Sequence, residues 1–138
     1  MQTKVYRQQH GEMRRLLDEA GHKLLPLDPE GCRSALARLS GVLKIHLAME
    51  DKALYPRMLT HGDARVRETA GQYQESMGRL APAFHAFYEK WRHHGSIEAS
   101  PAEYAGGFHV IEKELKQRMD MEDANLYELV DQRVDLAS

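Results

Sequence analysis

The sequence predicts an all-α protein, an antiparallel up-down-up-down four-helix bundle. Three observations carry that prediction. No stretch sustains the apolar/polar alternation of a strand. Apolar residues instead recur at spacings of three and four, the period of a helix with one buried face. Prolines, glycines and capping residues divide the chain into four long pieces with short connections, which make antiparallel neighbours.

The first helix is expected from Thr3 to about Leu24, on the seam Tyr6, Met13, Leu17, Ala20, Leu24, with His10 between Tyr6 and Met13. Leu25-Pro26-Leu27-Asp28 is a linker, and Asp28 followed by Pro29 is a helix start. The second helix is expected to about Leu59, with Cys32, Leu36, Leu39, Leu43, His46, Glu50 and Leu54 along one face and a bend near Pro56. Asp63 can cap the third, which extends to about Arg92 through Tyr73, Met77, Leu80, Ala81, Phe84, Tyr88 and Trp91, with His85 at the seam's edge. Pro82 lies inside that pattern and predicts a kink or a division into two shorter helices. The segment from His93 to Ala99 reads as a loop. Ser100-Pro101-Ala102-Glu103 reads as a capping box that opens the fourth helix, with Tyr104, Phe108, Ile111, Leu115, Arg118, Glu122, Leu126 and Leu129 on one stripe. The polar tail from Asp131 is expected to fray.

At 138 residues the chain suits one domain, 1–138, able to bury a core without staples. A single cysteine, Cys32, excludes an internal disulfide. With no apolar run behind a basic start, it points to a cytoplasmic protein. No stretch approaches the ~18 consecutive apolar residues of a membrane span. A net charge of −2 gives no general attraction to nucleic acid or an anionic membrane.

The most informative pattern is a repeat. Met49-Glu50-Asp51-Lys52-Ala53-Leu54-Tyr55 recurs as Met121-Glu122-Asp123-Ala124-Asn125-Leu126-Tyr127, with five of seven positions identical. His46 stands four residues before Glu50, and Arg118 four before Glu122. A His and a Glu at that spacing share a helical face and can grip one metal ion. At ~100° per residue, Glu50 falls within about 40° of Leu36, Leu39, Leu43 and Leu54, and His46 about 40° to its other side. Glu122 falls likewise among Ile111, Leu115, Leu126 and Leu129. Buried carboxylates are costly unless paired, protonated or metal-bound.

A single histidine on a seam is more often a hydrogen-bonded core residue than a ligand. The repeat could also be a packing motif, with Leu and Tyr inside and Asp51 and Asp123 in solvent. Coincidence favours a site: every expected helix brings an inward His or Glu, namely His10, His46 with Glu50, His85, and Glu122. Bundle cores are where facing helices build metal sites. His109 lies about 140° and ~20 Å of rise from Glu122 and is excluded. His22, His61, His93 and His94 fall at helix ends or in loops. Glu89, four residues after His85, is a reserve ligand.

On these residues the chain resembles the hemerythrin-like family, the HHE cation-binding domain. The resemblance runs from residue 3 to residue 130, and the stretch from His46 to Pro56 is its most similar part. It implies a four-helix bundle with iron held by His10, His46, Glu50, His85 and Glu122, and with O₂ or NO as ligand. The family's two irons are bridged by two carboxylates. This chain departs at the family's helix 4 histidine, where Arg118 stands. A guanidinium has no lone pair to give a metal. Three arrangements follow. A di-iron site persists with water, Glu89 or a shifted residue as replacement. One metal stays, on His10, His46 and Glu50. Or no metal binds, and Arg118 neutralises Glu50 or Glu122 as a buried ion pair.

The expected function is a non-haem iron protein binding O₂, NO or iron, in storage, sensing or protection. With no output domain attached, a sensor needs a protein partner or a second copy of itself. The alternative is a metal-free four-helix interaction module. Nothing specifies an organic substrate, and no nucleophile with an orienting base is visible, so an enzyme is the weaker reading.

Overall fold

A computed structural model of the chain describes residues 2–136; residues 137–138 of the expected frayed tail lie outside them. Every regular element among the described residues is helical, and no strand forms among them. In chain order the helices are α1 (Lys4–His22), α2 (Pro29–Met49), α3 (Tyr55–Leu59), α4 (Ala64–Trp91), α5 (Ser96–Ala99), α6 (Pro101–Met121) and α7 (Tyr127–Arg133). Two π turns, Glu50–Leu54 and Glu122–Leu126, join α2 to α3 and α6 to α7.

The apolar seams close into two clusters at opposite ends of the bundle. One gathers Leu16 and Leu17 of α1, Cys32 and Leu36 of α2, Phe87 and Trp91 of α4, and Tyr104 and Phe108 of α6. The other gathers Tyr6 of α1, Leu54 of the first π turn, Val66 and Tyr73 of α4, and Leu126 of the second π turn. Each long helix thus runs from one cluster to the other, and the direction alternates along the chain. That alternation is the expected up-down-up-down arrangement, with α1 on α2, α2 on α4, α4 on α6 and α6 back on α1.

Between the clusters lies a layer of buried polar side chains. On α1 it is His10, between Tyr6 and Met13. On α2 and its π turn it is His46 and Glu50, between Leu43 and Leu54. On α6 and its π turn it is Arg118 and Glu122, between Leu115 and Leu126.

Several local expectations change. Asp28 and Asp63 cap as expected, accepting from the Gly31 and Arg65 amides. Pro82 neither ends nor divides α4. α6 starts at Pro101, but the Ser100 side chain makes no cap hydrogen bond, and Glu103 pairs with Lys90. Within the expected loop, Ser96–Ala99 forms a single helical turn, entered through Gly95 at φ 85°, a value that favours glycine. The C-terminal end is held down: Asp131 accepts from the Thr3 amide and hydroxyl, and Val134 is buried.

Both copies of the repeat form a π turn at the same place. In each, the Tyr amide bonds the carbonyl of the Glu five residues earlier, Tyr55 to Glu50 and Tyr127 to Glu122. In an α-helix, residues five apart point about 140° away from each other. The wider turn absorbs one extra residue, so both Glu and Tyr face inward. Pro56 follows the first π turn and removes an amide donor, which fits a disturbed helix there. The second copy has Glu128 at that position and forms the same turn, so proline is not its general cause.

Candidate metal centre

The polar layer brings two imidazoles and two carboxylates together. His10 Nε2 lies 2.9 Å from Glu122 Oε1 and 3.2 Å from His46 Nε2. His46 Nε2 is 3.8 Å from Glu122 Oε1 and 3.4 Å from Glu50 Oε1. All four residues are at most 1% exposed. Ligand atoms of His10, His46 and Glu122 all fall within 4.8 Å of one another, as a shared cation requires.

The outer face of each imidazole is anchored. His10 Nδ1 contacts Asp123 Oδ1 at 2.8 Å, and His46 Nδ1 contacts Gln9 Oε1 at 2.7 Å. Two acceptors there place hydrogens on the Nδ1 atoms and turn both Nε2 atoms to the centre, the tautomer a metal-binding histidine needs. Asp123 is in turn gripped by Arg14 at 2.6 Å. Asp123 is therefore only half-buried and bonded, while its counterpart Asp51 in the first copy is exposed.

Arg118 is buried at 7% exposure, and its Nε donates to Glu122 Oε2 at 3.1 Å. Its Nη2 donates to the Tyr73 carbonyl at 2.6 Å, and Nη1 donates to the Ser76 hydroxyl. The guanidinium carbon sits 4.7 Å from the Tyr73 ring centre, a cation–π contact. Of the two expected partners, Arg118 takes Glu122 and not Glu50.

Charged groups of this layer also find opposite partners among themselves, His46 with Glu50 and Arg118 with Glu122. Burial disfavours the His46 imidazolium, but hydrogen bonds to Glu122 and Glu50 outweigh it and raise the pKa to about 9. Burial pushes Glu122 up, yet hydrogen bonds from His10 and His46 and the Arg118 charge hold it down at about 2. Glu50 shifts upward: burial dominates, the His46 bond offsets it in part, and the Glu122 charge adds to it. Glu50 Oε1 has only the long 3.4 Å approach of His46 Nε2 and no other donor. A buried carboxylate oxygen so weakly satisfied, beside an inward Nε2, fits a cation-binding layer whose donor set is nitrogen and oxygen.

Of the five residues expected to ligate, the structure brings together His10, His46, Glu50 and Glu122. His85 is a correction. It is exposed, beside a cleft it lines with Leu43, Leu47 and Phe84. Phe84 and Phe87 take the inward positions around it. The helix also meets the layer elsewhere, at Ser76 and Tyr73, about 14–18 Å of helical rise away. On α4 the inward residues at that level are Tyr73 and Met77, neither of them a histidine. Glu89 pairs with Arg92 and is also remote. His109 is exposed, as expected.

Three contributors escaped the sequence reading. Gln9 and Asp123 carry no signal beyond adjacency to His10 and Glu122. Tyr127 does carry one, its identity with Tyr55 across the repeat, but a repeated tyrosine fits a packing motif equally well. Its hydroxyl donates to Glu50 Oε2 at 2.9 Å and lies 3.2 Å from His10 Nε2 and 3.3 Å from His46 Nε2.

This arrangement of helices and donors has a counterpart among known families. The model of the hemerythrin HHE cation-binding domain matches residues 1–130. The chain belongs to that family. No curated protein and no solved structure matches it. Membership and geometry agree on a cation-binding bundle, in which His10, His46 and Glu122 can form a site. No helix among the described residues is long and apolar enough to cross a membrane.

Proposed function

We propose that this hemerythrin-family chain holds a single non-haem iron ion through His10, His46, Glu50 and Glu122, and that the ion presents an open position to a small ligand such as O₂ or NO. The observation that carries this reading is the pair of inward Nε2 atoms facing two buried carboxylates, one with a weakly satisfied oxygen. Mixed imidazole and carboxylate donors suit iron. Arg118 supports one metal rather than two. Its fixed positive charge rests on the far oxygen of Glu122, and its neighbours Tyr73 and Ser76 offer no imidazole. The role is storage, sensing or protection. Anaerobic loading with Fe(II), followed by metal analysis, should give one iron per chain; well under one transition metal per chain would overturn the reading.

A second reading has its own support. The Arg118–Glu122 pair and the elevated His46 pKa neutralise the layer with protons and guanidinium alone. On that reading the bundle is a metal-free interaction module, and the same loading experiment returns no bound metal.

A further inference from the structure

We infer that Tyr127 is a ligand of the ion: in the ferric form of the site its Oη binds the metal as phenolate, completing a donor set of two imidazoles, carboxylate and phenolate oxygen. The inference rests on the iron reading above and departs from the ligand set the family implies.

The geometry is specific to this tyrosine. Its single proton serves Glu50 Oε2, at 2.9 Å. Its oxygen nevertheless lies within 3.3 Å of both Nε2 atoms, and His10 Nε2 is itself 2.9 Å from Glu122 Oε1. The phenol oxygen thus shares one small volume with the donor atoms of every other proposed ligand. A tyrosine that only packed could turn its hydroxyl toward the rim of the bundle. This one is wholly buried, with its ring 5.2 Å from the His10 ring. The π turn is what brings it there, by letting Tyr127 share the inward face of Glu122.

The two repeat tyrosines are not equivalent. Tyr55 meets Arg118 Nη2 at 3.4 Å, on the guanidinium side of the layer. Tyr127 meets the imidazole side. The fixed cation has taken one half of the layer, and the oxygen and nitrogen donors converge in the other.

Ligation is an exchange without redox change. On ligation the Tyr127 O–H bond would break and an O–Fe(III) bond would replace one from the iron to water or nitrilotriacetate, with one proton released to solvent for each ferric ion bound. A cation reverses the local electrostatics that keep a buried phenol protonated, as bound metals do for thiols and water. Anionic oxygen donors also favour the ferric over the ferrous state, and phenolate is a known axial donor to iron.

The test uses the intact chain loaded with ferric nitrilotriacetate. Wild type should bind one iron, show a visible phenolate-to-iron charge-transfer band, and give resonance-enhanced tyrosine ring modes. Tyr127→Phe should keep its iron and lose the band and the ring modes. Tyr55→Phe should keep all three. Iron bound without a band in wild type would overturn the inference while leaving the iron site standing, with Tyr127 only a hydrogen-bond donor to Glu50. A band that survives Tyr127→Phe would overturn it as well. No iron bound would sink both the site and the ligand. If Tyr127→Phe fails to fold, ring modes present in both wild type and Tyr55→Phe support Tyr127, and their absence from wild type, or loss in Tyr55→Phe, overturns it.

Discussion

Arg118 on α6 and Glu122 at the start of the following π turn meet one turn apart, Nε to Oε2 at 3.1 Å, with 7% and 1% of their surfaces exposed. At that depth the pair cannot be treated as a surface salt bridge. Removing one partner strands the other in a medium that solvates charge poorly. Arg118→Ala should therefore destabilise the metal-free protein by about 3–5 kcal/mol, against the ~0–1 kcal/mol of an exposed pair. Urea unfolding of wild type and variant in chelator checks this, and an unchanged midpoint would count against it.

Arg118→His should have a different effect. It replaces the guanidinium by a ligand on the half of the layer that Arg118 now fills. Iron per chain should rise above the wild-type value, with new visible absorption on exposure to air. Unchanged stoichiometry would show that this half cannot take a metal even with a histidine present.

The imidazoles should separate cleanly by position. His46→Ala should lose most of the bound metal, because both its Nε2 and its helix face the layer. His85→Ala and His109→Ala should keep it, since both side chains are exposed. Metal analysis of the three variants under identical loading decides the point; equal losses would refute the assigned layer.

The repeat supplies its own control for the outer anchors. Asp123 holds His10 Nδ1, whereas Asp51 is exposed. Asp123→Asn should weaken metal binding by roughly 10–100-fold, the usual cost of losing a residue that orients a ligand. Asp51→Asn should leave it unchanged. Competition with a chelator measures both, and parity between them would contradict the difference drawn between the two copies.

In the metal-free protein, His46 predicts a pH dependence with a definite sign. Its folded pKa, about 9, lies above its ordinary 6.5. The stabilisation it contributes is therefore complete below about pH 6.5 and is lost as pH rises through about 9. The difference in unfolding free energy between wild type and His46→Gln should shrink across that interval. A difference that stays constant from pH 6.5 to 9 would show that His46 does not titrate with folding.

Much of this was legible in the sequence, for identifiable reasons. His10, His46, Glu50 and Glu122 sit on apolar stripes with a clear period, so their inward direction follows from the spacing alone. Arg118 was legible by the same rule. His85 was not, because a seam gives direction around a helix but not its height against neighbours. α4 is offset along its axis, so its seam passes the layer at Tyr73 and Ser76. Hydrogen bonds from Asp123 and Gln9 depend on side-chain reach between helices, which no spacing within one helix reports. The π turns also lie beyond a fixed angular period, since they change the period locally.

Those turns have an evolutionary and engineering implication. Deleting a single residue from either one, such as Lys52 or Ala124, would restore an uninterrupted α-helix with standard hydrogen bonding. With that residue gone, Glu and Tyr would stand four apart on one helical face, about 40° from each other, and the end cluster would keep its register; the undeleted sequence wound as plain α-helix would instead turn Tyr55 or Tyr127 about 140° away from its Glu. The π turn thus takes up the extra residue and keeps the two stretches of ordinary helix in phase. A more regular backbone was one codon away at both places, and the chain keeps the irregular one twice.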